Sequence, residues 1–148
     1  CSFFLNLGAQ FAEGRGEMLK RASVVEMNIL LVYPNIPIST KEIYSSEKLI
    51  LTEPPNIHNM HIQLGAAQIS ELMFNGLESA VIALYPEIGV VKQALIEAGA
   101  MAAILSGSGS SVFGVFSGEE KASKAQREIR SRFSSYNVWM LKTPVTGS

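Results

Sequence analysis

Six small residues lie between two apolar stretches of this chain, and they restrict its folding more than any other feature. Residues 106–111 read Ser-Gly-Ser-Gly-Ser-Ser, with apolar flanks at 101–105 and 112–116. Glycine adopts positive φ at little cost, so such a run lets the backbone reverse its direction tightly. We therefore expect two neighbouring strands joined by a hairpin loop, which we call the Ser/Gly loop (residues 106–111).

The same loop has the composition of an anion-binding segment. Small residues let consecutive backbone amides approach a phosphate closely, and the serine hydroxyls can donate hydrogen bonds as well. The Gly-Lys-Ser/Thr ending of an ATPase phosphate loop does not follow residues 106–111. Nor does a helix follow that would hold a pyrophosphate at its N-terminus, because residues 112–116 continue as a strand. On spacing alone, a plain turn and an anion site both remain open.

The remaining pattern predicts an α+β fold in one domain, residues 1–148. A nearly continuous apolar run at 27–33 predicts a strand buried on both faces, which ends at Pro34. A hairpin is predicted at 13–17, a last strand at 136–141, and helices at 41–44, 58–74, 77–84, 86–98 and 119–133. Asn75 and Glu78 are expected to fix a helix junction. This order indicates a ferredoxin-like antiparallel sheet with helices on one face.

The composition argues against several classes of function. A formal net charge of −1 disfavours a nucleic-acid or acidic-membrane partner, which a clustered basic surface would bind. The most apolar run, residues 27–32, is too short to span a bilayer, so no membrane partner is expected. The single cysteine, Cys1, allows no internal disulfide and no cysteine-based metal site. We expect no metal ligands in this chain and a reducing, cytoplasmic setting.

Five segments resemble motifs of the GHMP kinase superfamily, in the order in which that family has them. Residues 99–114 resemble its third motif, of the form GA…SGSG…VFG. Four others resemble the branch that phosphorylates 4-diphosphocytidyl-2-C-methyl-D-erythritol, and they are Phe3-Phe4, residues 12–17, residues 34–44, and residues 75–78 with 85–88. Two positions depart from that branch, since Ser2 replaces a proline and Gly76 replaces an aspartate. The resemblance covers nearly the whole chain.

The resemblance implies that this chain is the C-terminal, substrate-side domain of a two-domain kinase. The ATP-binding domain would lie upstream, and the catalytic aspartate would immediately precede Cys1, so no catalytic residue is assigned within residues 1–148. ATP and Mg²⁺ would serve the intact enzyme, and neither is expected on this part, which alone would be inactive. The reaction would transfer the ATP γ-phosphoryl group to a substrate hydroxyl in non-mevalonate isoprenoid precursor synthesis. Its location would be the cytoplasm, or a plastid in a plant or alga.

The resemblance also implies which residues bind the cytidine diphosphate substrate. Tyr44 aligns with an aromatic residue that packs against the cytosine ring, although a tyrosine closing the edge of the core would fit the sequence as well. Its neighbours, which would reach the ribose or the diphosphate, are Ser39, Thr40 and Lys41. Either Ser39 or Thr40 could cap the helix that follows, and this role alone explains Ser39 without any ligand. The phosphate end of the cleft would be lined by Ser106, Gly107, Ser108, Gly109 and Ser110.

Two other functions remain open. A related kinase of the same superfamily, acting on homoserine or mevalonate, is one of them, but residues 13–17 and 39–44 favour the cytidine-substrate branch. A non-catalytic α+β ligand-binding domain would use residues 106–111 only as a turn. The partners expected for the kinase are the small-molecule substrate and the protein's own N-terminal domain.

Overall fold

A four-stranded antiparallel sheet is the centre of the computed structural model, which describes residues 10–13, 18–21, 23–24, 26–46, 63–64, 68 and 72–143. The elements in chain order are β1 Gln10–Glu13, β2 Met18–Arg21, β3 Ser23–Val24, β4 Asn28–Tyr33, α1 Thr40–Ser45, β5 Gln63–Leu64, α2 Glu78–Leu84, α3 Pro86–Glu97, β6 Ala102–Leu105, β7 Val112–Phe116, α4 Glu119–Arg132 and β8 Asn137–Lys142. The central strands lie in the order β6-β7-β4-β8, and each neighbouring pair is antiparallel. With helices after β4 and after β7, this is the ferredoxin-like arrangement, so the predicted α+β class is confirmed.

The core lies between one face of this sheet and the two long helices. α3 packs on β6 and β7, and α4 packs on β4 and β8. From β4, Leu30 and Val32 are fully buried in the same cluster as side chains of both helices. On the opposite face of β4, Ile29 and Leu31 are only half-buried. The prediction that residues 27–33 are buried on both faces is therefore wrong, because α3 and α4 both cover the same face.

Local chemistry accounts for the ends of the long helices. α3 starts at Pro86, whose missing N–H needs no partner in a first turn. It stops before Gly99, whose φ of +99° suits glycine at a helix C-terminus. α4 has acidic residues in its first turn and Arg130 and Arg132 in its last turn. The helix dipole stabilises negative charge at the N-terminus and positive charge at the C-terminus. Both long helices are confirmed to within one residue of their predicted ends.

The hairpin predicted around residues 13–17 is confirmed by the strands that flank it. Glu13 of β1 pairs with Met18 of β2, and the two strands run antiparallel. The turn itself lies outside the described residues.

The helix predicted over residues 58–74 is wrong at positions 63–64. These two residues form β5 and pair in parallel with β3. Backbone pairing with a distant segment overrides the helical spacing of apolar residues there. Gln68 and Leu72 are helical, and much of this predicted segment lies outside the described residues. Among the described positions of this segment, the helix prediction holds at 68 and 72 and fails at 63, 64, 73 and 74.

No single helix in the described part of the chain has the length and apolar character needed to cross a membrane. Only α2 and α3 taken together reach both, and they are bent by 116° where they meet.

Candidate functional site

The short helix α1 carries the four residues predicted to bind the substrate, within it or at its cap. The hydroxyl of Ser39 accepts a hydrogen bond from the backbone N–H of Glu42 at 3.3 Å, so the predicted cap is confirmed. Ile43 is the buried residue of this helix and fixes it to the core. Thr40 and Lys41 lie on its exposed surface.

Tyr44 projects from α1 with 62% of its surface exposed. A tyrosine that closed the edge of the core would be largely covered by its neighbours, so that explanation does not fit this residue. The exposed ring instead offers a flat surface to a planar ligand such as a nucleobase.

The Ser/Gly loop joins β6 directly to its antiparallel neighbour β7, so the predicted hairpin is confirmed. The N–H of Ser106 donates to the carbonyl of Ser111 at 2.8 Å, and the N–H of Gly109 donates to the carbonyl of Ser106 at 2.9 Å. Gly107 and Gly109 have φ of +58° and +90°, values that an L side chain rarely adopts. The backbone of the loop is thus folded tightly on itself.

Gly109 also brings the loop close to the segment that precedes α1. A Cβ atom at this position would lie 2.9 Å from Cδ1 of Ile38 and 3.1 Å from Cδ1 of Leu105. A larger residue would push these two side-chain ends aside, and the φ of +90° at Gly109 favours glycine in any case. The loop and the entry to α1 are therefore packed against each other.

The two groups of predicted site residues meet at Thr40 and Ser108. Their hydroxyl oxygens are 3.1 Å apart although the residues are separated by 68 positions in the sequence. The contact places α1, with its exposed Tyr44 and Lys41, beside the Ser/Gly loop. One surface of the molecule therefore combines an accessible ring, a cation and a glycine-rich turn.

Ser110 differs from the other predicted loop residues. It is only 3% exposed, and its hydroxyl has no hydrogen-bond partner among the residues that the structure describes. Accessible surface is presented instead by Ser106, Gly107, Ser108 and Gly109. In this conformation the Ser110 hydroxyl does not reach the surface that the other loop residues line.

A tyrosine that sequence reasoning did not assign to the site helps to fix α1. The hydroxyl of Tyr85, between α2 and α3, donates to the Glu42 carboxylate at 2.9 Å. This hydrogen bond is the main reason why the pKa of Tyr85 is raised above its ordinary value of 10.0, and the negative charge of Glu42 acts in the same direction. No sequence signal joins Tyr85 to Glu42, because 43 positions separate them.

Asn75 and Glu78, assigned from the sequence only to a helix junction, also contact the Ser/Gly loop and the end of β6. The side-chain amide of Asn75 donates to the Gly107 carbonyl at 2.8 Å, and the Glu78 carboxylate accepts from the Leu105 N–H at 2.8 Å. The positions of Asn75 and Glu78 in the sequence do not reveal these contacts, because the contacts depend on how α2 packs beside β6.

The part of the chain that the structure describes holds no group of three or more His, Cys, Asp or Glu side chains able to bind a metal ion. No Mg²⁺ ligand is assigned among these residues. What they offer a ligand are hydroxyls, backbone amides, the exposed Tyr44 ring and the Lys41 side chain.

Comparison with known proteins identifies the family that this chain matches. Residues 56–135 match the protein family described as "GHMP kinases C terminal". The 4-diphosphocytidyl-2-C-methyl-D-erythritol kinase of Syntrophomonas wolfei is 39% identical, over an alignment covering 97% of this chain and 52% of that protein. The chain spans about half the length of the curated relatives that it matches.

Solved structures show the same fold. The crystal structure of a 4-(cytidine 5'-diphospho)-2C-methyl-D-erythritol kinase superposes with a TM-score of 0.69 at 22% identity, covering 90% of this chain and 48% of that one. A homoserine kinase from Cytophaga hutchinsonii superposes with a TM-score of 0.62 at 19% identity, covering 86% of this chain and 45% of that one. The fold is thus shared by kinases with different substrates.

Proposed function

Because the chain belongs to the GHMP kinase C-terminal family, we propose that it forms the substrate-binding half of a kinase that phosphorylates 4-diphosphocytidyl-2-C-methyl-D-erythritol. Two facts support the choice of substrate. Sequence relatives covering most of the chain carry that name. Tyr44 presents an exposed aromatic ring on the helix that contacts the Ser/Gly loop, and such a ring would offer a cytosine a stacking surface.

The contact between Thr40 and Ser108 carries the proposal. A diphosphocytidyl substrate has a planar base at one end and phosphates towards the middle. Its site must therefore combine an aromatic surface with anion-binding groups, and this contact joins the helix that holds Tyr44 to the Ser/Gly loop. The hydroxyls and backbone amides at 106–109 would hold phosphate oxygens, while Thr40 and Lys41 would meet the ribose or the diphosphate.

In the proposed reaction a hydroxyl of the sugar alcohol attacks the γ-phosphorus of ATP. The new P–O bond forms as the bond to ADP breaks, and the proton of the hydroxyl passes to a base. Phosphoryl transfer depends mostly on positioning and charge stabilisation, so the role of this half is to hold the substrate in place. The base, predicted as an aspartate immediately before Cys1, lies outside the described residues.

ATP and Mg²⁺ enter the proposal as requirements of the intact protein. Mg²⁺ neutralises phosphate charge in reactions of this class. The described residues provide no ligand cluster for it, so no step of this half is assigned to the metal. The protein's own N-terminal domain is the proposed partner that completes the site.

Phosphorylation assays on the intact protein test the proposal. With ATP and Mg²⁺, we expect turnover of 4-diphosphocytidyl-2-C-methyl-D-erythritol and no comparable turnover of homoserine or mevalonate. Product is measured by phosphorus NMR and by ADP release. A preference for homoserine or mevalonate would transfer the function to another kinase of the family, and cytidine-substrate binding without turnover would indicate a ligand-binding protein.

A further inference from the structure

β6 is an edge strand of the four-stranded sheet, and its last residue has backbone groups that no strand among the described residues pairs. The N–H of Ser106 is bonded to Ser111 across the hairpin. In an antiparallel ladder neighbouring residues face alternate sides, so the N–H and C=O of Leu105 point away from β7. β6 comes first in the order of the sheet, so no strand of this sheet pairs with Leu105 on that side. An edge strand in this position needs other partners for its polar groups.

Asn75 and Glu78 supply those partners. The Glu78 carboxylate accepts from the Leu105 N–H at 2.8 Å, and the Asn75 amide donates to the Leu105 carbonyl at 2.8 Å. The two side chains thus act as the missing neighbour of β6 at the point where the strand enters the Ser/Gly loop. We call Asn75 and Glu78 the edge clamp.

The edge clamp also reaches into the loop. The same Asn75 amide group donates to the carbonyl of Gly107 at 2.8 Å. The Gly107–Ser108 peptide is trans, so its carbonyl and its N–H point in opposite directions. Holding the Gly107 carbonyl at Asn75 therefore turns the Ser108 N–H away from the clamp. Ser108 is also the loop residue whose hydroxyl contacts Thr40.

Both side chains of the clamp are themselves held in place. The Asn75 carbonyl oxygen accepts from the N–H of Leu77 at 3.0 Å, which fixes the orientation of the amide. One oxygen of Glu78 is ion-paired with Lys92 of α3, leaving the other oxygen to Leu105. The Glu78 side chain is only 17% exposed, so its hydrogen bonds are partly shielded from water. These contacts anchor the clamp to the helical layer.

We propose that Asn75 and Glu78 are positioning residues that set the conformation of the Ser/Gly loop for phosphate recognition. The inference rests on the proposed function and adds a role for two residues that were predicted from the sequence only to fix a helix junction. The clamp touches the loop backbone at Leu105 and Gly107, and acts on the substrate only through the loop. Its loss should therefore impair phosphoryl transfer more than binding of the cytidine end.

The test compares Asn75→Asp and Asn75→Ala with Asn35→Asp in the intact kinase. Asn35 is a matched control, because its amide donates to another loop carbonyl, that of Ser135, at 2.9 Å. We expect both Asn75 variants to lose about tenfold or more in kcat, the scale of a small misplacement of reacting groups. KM for the cytidine substrate should rise as well, because the loop would hold its diphosphate, whereas KM for ATP should change less than about threefold. Asn35→Asp should keep its kcat. Asn75→Ala adds no charge, so it remains informative if Asn75→Asp does not fold.

Glu78 gives a second arm. Glu78→Gln keeps an oxygen that accepts from Leu105, so we expect it to retain more kcat than Glu78→Ala. A merely structural role would lower the unfolding temperature of the two Asn75 variants and the two Glu78 variants without a selective loss of kcat. Unchanged kcat in folded Asn75 variants, or equal loss in Asn35→Asp, would overturn the inference.

Hydrogen exchange separates this inference from the proposed function. If the wild-type protein does not phosphorylate the cytidine substrate, the proposed function fails. The clamp is then tested by the exchange of backbone amides at 105–111. Faster exchange in Asn75→Ala than in Asn35→Asp supports the clamp, and equal exchange overturns it.

Discussion

Tyr44 is the residue whose environment bears most directly on the choice of ligand. More than half of its surface is in contact with water, whereas Ile43 beside it is fully buried. Neighbouring residues on a helix point to different sides, so burying Ile43 leaves Tyr44 outside. The exposure of Tyr44 follows from the way α1 packs on the core, and it leaves the ring accessible to a nucleobase.

At this scale the first prediction concerns Tyr44→Ala in the intact kinase. We expect KM for the cytidine substrate to rise about three- to tenfold, because a stacking contact on the order of 1 kcal/mol is lost. KM for ATP should not change. Tyr44→Phe keeps the ring and serves as the control. Steady-state kinetics measure both constants, and an equal rise for ATP and the cytidine substrate would remove Tyr44 from the site.

At the scale of elements, α1 is positioned by one apolar and two polar contacts. Ile43 packs in the core, Thr40 touches the Ser/Gly loop, and Glu42 accepts from Tyr85. A helix of six residues is too short to be stable alone, so these tertiary contacts decide where it lies. The position of the predicted substrate residues is therefore a property of the contacts between α1, the loop and the α2–α3 junction.

The bond between Tyr85 and Glu42 predicts a pH dependence for α1. The pKa of Tyr85 is raised in the folded state above 10.0, because its protonated hydroxyl donates to Glu42. A group whose pKa is higher in the folded state than in the unfolded state contributes its full stabilisation at pH values below the unfolded-state pKa. This stabilisation is lost as the pH rises through the folded-state pKa. We expect α1 to loosen in that alkaline range.

Ultraviolet titration of tyrosinate formation measures this effect, with Tyr85→Phe identifying the signal. In Glu42→Gln the charge that opposes ionisation is gone, so the pKa of Tyr85 should fall towards 10.0. A Tyr85 that titrates identically with and without Glu42 would contradict the prediction.

At the scale of the whole molecule, packing of the long helices on the sheet holds the site together. The Ser/Gly loop joins β6 to β7, and β4 leads to the segment before α1. Together with β8 these strands form one sheet, and α3 and α4 both cover the same face of it. Loss of core packing should therefore destabilise the sheet on which the site is built.

Two adjacent valines of α3 provide a matched test of this packing. Val91 is fully buried and Val90 is 48% exposed, so the same change to alanine removes the same atoms from different environments. We expect Val91→Ala to lower the free energy of unfolding by about 1–3 kcal/mol through lost burial and cavity formation. Val90→Ala should stay within about 0.5 kcal/mol of the wild type. Denaturant unfolding measures both, and similar losses would argue against α3 as a core helix.

Much of the fold was predictable because its signals are local. Pro86 and Gly99 mark the ends of α3, and the glycines at 107 and 109 favour the hairpin, since backbone freedom at these positions depends on residue type. Residues 63–64 were predicted wrongly for the opposite reason. Their strand exists because β3 is available to pair with it, and a helical spacing of apolar residues contains no information about that partner.

For the site, the sequence by itself determined the residue types, the Ser39 cap and the turn at 106–111, all of which depend on a few neighbouring positions. Only the tertiary structure decided that Thr40 meets Ser108, that Ser110 is buried, and that Asn75 holds the loop from the edge of the sheet. Hydrogen bonds act over about 3 Å, whereas these residues lie 30 or more positions apart in the chain. Their meeting is set by the packing of helices on the sheet, which brings distant segments within that range.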